Sequence, residues 1–200
     1  MAQAEALVPI TFMVIVGTVG VYGITSSPLA RRLGLAQRNP QGVFFVGANS
    51  VAQAMATALQ EQGFEVGLVD TNRRDLYRTR MANLPATYGD VLSPAIFDGI
   101  SLSGIGRVFA VTSNDELNSL AALHFNEIFE RKEIYQLPPY GLAEDKNAGH
   151  ASSHLRGRFL FGHESGYAEL RERFDSGAVI KATGLTEAFE YPAFQELHGG

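Results

Sequence analysis

The residues best placed to do chemistry are Gly47-Ala48-Asn49-Ser50-Val51-Ala52, followed about twenty residues later by a carboxylate, Asp70. A glycine lets the chain turn sharply, and small residues let backbone approach an anion. A helix opening at Val51 would offer its first N–H groups to that anion. In the register G-x-G-x-x-G only the first glycine remains. Asn49 stands at the second position and tolerates left-handed backbone better than most residues, and Ala52 replaces the third glycine. A carboxylate where Asp70 falls, at the end of the next apolar run, accepts hydrogen bonds from sugar hydroxyls and disfavours a 2′-phosphate. Thr71 and Asn72 adjoin it. Arg73 and Arg74 follow, able either to reach a phosphate or to form a solvated helix face. Asp70 itself could instead be a turn or helix-capping residue.

The elements that must hold these residues alternate in type. Val43–Val46 is apolar on both faces, as a central parallel strand should be. Val51, Met55 and Leu59 recur every four residues, giving a helix that Gly63 ends. The pattern then predicts a strand over Glu65–Asp70, a basic helix over Arg73–Asn83 and a short strand over Ala86–Tyr88. A helix over Ser93–Ile100, a strand over Arg107–Thr112, a helix over Asp115–Arg131 and a strand over Glu133–Gln136 complete the series, and Leu137-Pro138-Pro139 closes it. Strand–helix alternation of this kind implies an α/β fold with a parallel sheet.

Ahead of this domain, Ala6–Ala30 contains no Asp, Glu, Lys, Arg or His. A helix rising about 1.5 Å per residue needs roughly 20 apolar residues to cross a bilayer core of about 30 Å. Threonines in the run can bond back to their own helix. Gly17, Gly20 and Gly23 permit close helix approach, although the first two are spaced by three rather than four. Tyr22 falls near the interface, and Arg31, Arg32 and Arg38 follow the run, which puts the residues after Arg31 in the cytoplasm. A buried helix of a soluble domain is usually shorter, and a signal peptide carries its positive charge before the apolar segment. The reading is therefore a transmembrane helix at 6–30, a linker at 31–42, the α/β domain at 43–137, a loop at 138–155 and a small α/β region at 156–200.

Composition agrees with one soluble domain joined to one span: 200 residues, 46% hydrophobic and 18% charged. A net charge of -5 gives no reason to expect nucleic-acid binding. The absence of cysteine removes disulfides, thiolate metal sites and cysteine nucleophiles.

Gly47–Val51, Leu68-Val69-Asp70, Tyr88-Gly89-Asp90 and Val111-Thr112-Ser113-Asn114-Asp115-Glu116-Leu117-Asn118 resemble the TrkA-N (RCK N-terminal) domain, a Rossmann-like fold. Such domains regulate potassium channels and potassium uptake systems by binding NAD(H) or adenine nucleotides. The resemblance implies a cofactor site at Gly47, Ala48, Asn49, Ser50, Val51, Asp70, Thr71, Asn72, Asp90, Thr112 and Asn114, with Asp90 near the adenine and Thr112 to Asn114 lining the crevice. It implies NAD(H), AMP, ADP or ATP as ligand, no catalytic residue and no metal.

Leu7-Val8-Pro9-Ile10-Thr11-Phe12, Gly17-Thr18 and Tyr22-Gly23 through Pro28-Leu29-Ala30-Arg31-Arg32-Leu33-Gly34-Leu35 resemble the last membrane helix of bacterial sodium/hydrogen exchangers, some of which carry a TrkA-N domain directly after it. Arg156–Gly162, Tyr167–Phe174 and Gly177–Thr186 resemble the small α/β region that follows there. The resemblance implies the C-terminal portion of a monovalent cation:proton antiporter of the inner membrane, with the ion-exchange site on upstream helices, since no Asp or Glu lies inside Ala6–Ala30. It also implies a homodimer, and the sequence reads as cut short at Gly199-Gly200.

Two other classes stay open. A soluble NAD-dependent oxidoreductase needs an acid or base near the crevice. There is no Tyr-x-x-x-Lys pair, and His124 reads as a surface or packing residue of its helix. His150, His154 and His163, with Asp145 and Glu164, could form a metal site or simply a polar linker. The third class is an oligomerisation module that has lost nucleotide binding, with Asp115–Arg131 as a dimer interface.

Overall fold

The computed structural model describes residues 2–33, 40–140, 157–162 and 165–183. The chain divides into two units, Met1–Pro40 and Gln41–Gly200. The first holds helix α1 (Ala2–Arg32), whose stretch Pro9–Ala30 has mean hydropathy 1.6 and no buried residue. At about 1.5 Å per residue it is long enough to cross a membrane. Within it the Thr18 hydroxyl donates to Val14 O at 2.8 Å and the Thr25 hydroxyl to Val21 O at 2.6 Å. Both hydroxyls are thereby satisfied inside the helix, as an apolar surrounding requires.

In the second unit the elements are β1 (Gly42–Val46), α2 (Ser50–Glu61), β2 (Val66–Asp70), α3 (Arg73–Met81), β3 (Ala86–Tyr88), α4 (Ile96–Gly99), β4 (Ile105–Ala110), α5 (Asp115–Phe125), β5 (Ile134–Gln136), β6 (Arg158–Phe159) and α6 (Tyr167–Asp175). The strands form one sheet in the order β3-β2-β1-β4-β5-β6. Every pairing is parallel. This is the α/β Rossmann-type order, with its reversal between β1 and β4.

β1 is buried along its length because helices cover both faces. Val43 and Phe45 face a core shared with Val51, Met55, Leu68 and Leu76, while Phe44 and Val46 face one shared with Ile96, Val108, Ala121 and Phe125. Aromatic contacts join neighbouring strands, Phe45 edge-on to Phe109 at 5.5 Å, and sheet to helix, Phe44 tilted against Phe125 of α5 at 5.7 Å. Ala52 is fully buried, so α2 lies close against the sheet where a larger side chain would hold it off.

Several elements end earlier than their sequence pattern predicts. α3 stops at Met81 rather than Asn83, because Asn83 takes a φ of 57° and the Leu84 N–H donates back to Thr79 O. This is a helix stop in which Asn does the work of glycine. The helix predicted over Ser93–Ile100 is only the turn Ile96–Gly99, since Pro94 offers no N–H and disfavours helical backbone at Ser93. α5 ends at Phe125, not Arg131. Beyond it the Ile128 N–H donates to Phe125 O, a tighter turn that brings Phe129 back onto the second core. β4 runs from Ile105 to Ala110, leaving Thr112 to a polar loop.

The sheet does not end at Leu137. β6 pairs with β5, and Leu170 of α6 enters the first core beside α2. The fully buried Gln136 makes the join: its Oε1 accepts from the Gly157 N–H at 3.0 Å, and its Nε2 donates to Ser119 Oγ at 3.2 Å. Gln136→Leu keeps the bulk and strands the Gly157 amide. We expect it to lower unfolding free energy by about 1–3 kcal/mol in urea titrations, and an unchanged midpoint would show that water takes over these bonds.

Candidate functional site

At the carboxyl end of β1 the chain must leave the sheet and enter α2 within a few residues. Gly47 does so at a φ of 107°, while its N–H still donates to Val69 O at 2.8 Å. A Cβ there would stand 3.2 Å from Thr112 Cγ2. Both the backbone angle and the neighbouring loop therefore select glycine.

Asp70 ends β2 directly beside this turn. One carboxylate oxygen accepts from the Ala48 N–H at 2.7 Å and the other from the Asn72 N–H at 2.8 Å. The side chain thus braces two turns together. An ionised carboxylate has about four acceptor positions, so acceptor capacity remains for ligand hydroxyls.

Asn49 takes a role different from the one its residue type predicts. Its backbone is extended, φ −70° and ψ 175°, not left-handed. Instead its Oδ1 accepts from the Val51 and Ala52 N–H groups at 3.0 and 3.1 Å, and its Nδ2 donates to Val111 O at 2.7 Å. The left-handed position falls on Gly47, which leaves Asn49 free to act as N-cap of α2. Ser50 opens the helix at the surface, and the Val51 side chain points into the core.

The opposite walls are built from other caps. Asn72 caps α3 through the Arg74 and Asp75 N–H groups. Asp90 accepts from the Leu92 N–H at 2.9 Å. Asn114 caps α5 through the Leu117 N–H at 2.8 Å. Thr112 is held by the fully buried Asn118, whose Oδ1 accepts the Thr112 N–H at 2.9 Å and whose Nδ2 donates to Thr112 O at 3.0 Å. The guanidinium of Arg73 lies 4.4 Å over the Tyr88 ring.

Between these walls is a narrow crevice of about 40 Å³, at the point where strand order reverses. Gly47, Asp70, Thr71, Asp90 and Thr112 line it directly. Ala48, Asn49, Ser50, Val51, Asn72 and Asn114 form the turns and helix ends behind that lining. Open α/β sheets bind ligands at this reversal.

Residues 43–137 match the family model of the TrkA-N domain. Among solved structures the chain is similar to the NAD(P)-binding domain of an exopolyphosphatase-related protein from Archaeoglobus fulgidus, at 15% identity and TM-score 0.47, over 67% of this chain and 94% of that one. It is also similar to a GsuK channel bound to NAD, at 15% identity and TM-score 0.42, covering 68% of this chain and 26% of the channel. The GsuK RCK domain aligns at 13% identity and TM-score 0.42, over 52% of this chain and 22% of that one. No curated protein matches the chain.

Two residues of the matched segment matter more than their sequence signals suggest. Asn118 is a polar residue on the apolar side of α5, near Leu117, Ala121 and Phe125, and that mismatch is the signal that could have marked it. Gly89 lines the crevice beside Asp90, and a Cβ there would press on the tip of the Ile96 side chain, which would have to shift. His124 does not face the crevice. It stacks on Phe97 at 4.7 Å, with its buried Nε2 lacking a hydrogen-bond partner. Asp145, His150, His154, His163 and Glu164 lie outside the described residues. Gly47→Ala combines backbone strain with contact against Thr112. It should cost about 1–3 kcal/mol of stability, and a calorimetric unfolding temperature equal to wild type would show that the turn adapts.

Proposed function

We propose that residues 43–137 form a regulatory nucleotide-binding domain that takes NAD(H) or an adenine nucleotide (AMP, ADP or ATP) in the crevice between Asp70, Asp90 and Thr112. We further propose that α1 is the last membrane helix of a monovalent cation:proton antiporter, carrying Na⁺ or K⁺. The observation that carries the nucleotide reading is Asp70: a carboxylate at the end of β2, beside the Gly47 turn and at the strand-order reversal, with lone pairs left for a ribose diol. The reading is also supported by the TrkA-N match.

The domain acts by binding rather than by catalysis in this reading. Asp70, Asp90 and Thr112, polar residues that line the crevice, are bonded into turn backbone and are not arranged as a proton relay. The antiporter part rests on the length and composition of α1 and on its resemblance to the last exchanger helix. It puts the protein in the bacterial inner membrane, with residues after Arg31 cytoplasmic and the upstream transport helices as partners. A homodimer fits the same reading. A second reading, an assembly module that no longer binds nucleotide, is favoured by the capped N–H groups of α2.

Calorimetric titration of the full chain in detergent with NAD(H), AMP, ADP and ATP separates these. Binding without turnover is expected, and Asp70→Ala should weaken it by about 1–3 kcal/mol, the usual loss for a charge-assisted hydrogen bond. Absence of heat with every nucleotide would leave the assembly module. Hydride transfer to a substrate would instead revive the oxidoreductase. For the membrane half, the full chain expressed in bacteria should remain in the membrane fraction through alkaline extraction. Its release as soluble protein would overturn α1 as a span.

A further inference from the structure

We propose that Asn49 is a specificity-determining residue of the nucleotide crevice: its carboxamide occupies two of the helix donors, the Val51 and Ala52 N–H groups, that a ligand diphosphate would use. The site therefore selects on the adenosine half of its ligand. The inference rests on the nucleotide-binding reading of Asp70 and goes beyond it by saying which part of the ligand carries affinity.

A diphosphate is ordinarily held at this turn by the first N–H groups of the following helix, whose orientation favours an anion. Here the Val51 and Ala52 N–H groups already donate to Asn49 Oδ1 at 3.0 and 3.1 Å. The neighbouring Ala48 N–H is taken by Asp70 and the Gly47 N–H by Val69 O. The Asn49 rotamer is fixed from its other end as well, because Nδ2 donates to Val111 O at 2.7 Å. A phosphate that takes the Val51 and Ala52 donors must turn the carboxamide away and break the bonds that Asn49 makes to Val51, Ala52 and Val111. A sugar diol approaching Asp70 need not, because Asp70 lies on β2 and contributes nothing to the cap. The diphosphate and nicotinamide half of a dinucleotide thus gains little here, whereas in an uncapped turn it is a main source of affinity.

Asn49→Gly tests this directly. Glycine is a tolerated N-cap residue and fits the φ of −70° without strain. The variant restores the second glycine of the register and frees both donors. Titrating the full-length chain in detergent with adenosine and with NAD⁺, wild type should bind NAD⁺ no more than about threefold tighter than adenosine. The variant should raise NAD⁺ affinity about tenfold, the scale of one charge-assisted hydrogen bond, while adenosine affinity stays within about twofold. Asn49→Asp keeps the Oδ1 cap, exchanges the bond to Val111 O for an oxygen–oxygen repulsion and sets a negative charge toward the phosphates. It should weaken NAD⁺ about tenfold and leave adenosine unchanged. An unfolding temperature for each variant checks that the turn is intact. If both ligands bind and their ratio is the same in wild type and Asn49→Gly, Asn49 is only a helix cap and the inference fails alone. If neither ligand binds wild type or variant, the nucleotide reading of the crevice fails and this inference with it.

Discussion

The carboxyl end of the sheet depends on the bracing of one turn. The chain leaves β1 through Gly47 at a φ that side chains resist, and the turn survives because it is held from two directions. Asp70 holds the Ala48 N–H from β2, and Asn49 holds Val111 O at the end of β4. These are the strands that flank β1, on either side of the reversal. The turn is thus a three-strand junction, and the crevice is the space that the junction leaves open. Loosening the Asp70 brace would change the crevice before it changed the core.

The central strands and the residues of that junction were legible in the sequence, and the ends of the elements were not. β1 reads as central because it is apolar on both faces, and burial on both faces is what the sheet gives it. Asp70 stands out because a lone acidic residue closes an apolar strand. Helix ends are decided by weaker competitions. Asn83 rather than glycine adopts the left-handed stop, and Phe125 and Phe129 turn inward because the second core has room for both rings. Neither preference is visible in a four-residue apolar stripe. Asn49 shows the same limit at the site. Its residue type fits a left-handed turn and a helix cap alike, and only the position of Val111 O selects the second.

The region after Leu137 is a case of long-range packing that local pattern could not assign. β6 is two residues long, too short to announce itself by alternation. It is recruited by Gln136, a polar side chain that must find partners because it is fully buried. A buried amide without partners would cost more than an apolar residue in its place, so its presence at the end of β5 is itself a requirement for the segment that follows. α6 then covers part of α2 with Leu170. The helix that opens at the crevice is therefore supported from behind by a segment distant in sequence.

A site whose polar groups are already satisfied by its own backbone has a particular energetic character. With Asp70 and Asn49 bonded internally, the crevice carries little unmet hydrogen bonding of its own. The gain on binding is then the difference between new bonds and those displaced, which is small wherever displacement is needed. Such a site favours modest affinity and a response to changing ligand level over permanent occupancy. In the proposed nucleotide reading, that balance suits a sensor. It also explains how a turn with only one glycine of its register can keep both its shape and its carboxylate: the shape is maintained by internal bonds, and the carboxylate keeps lone pairs to spare.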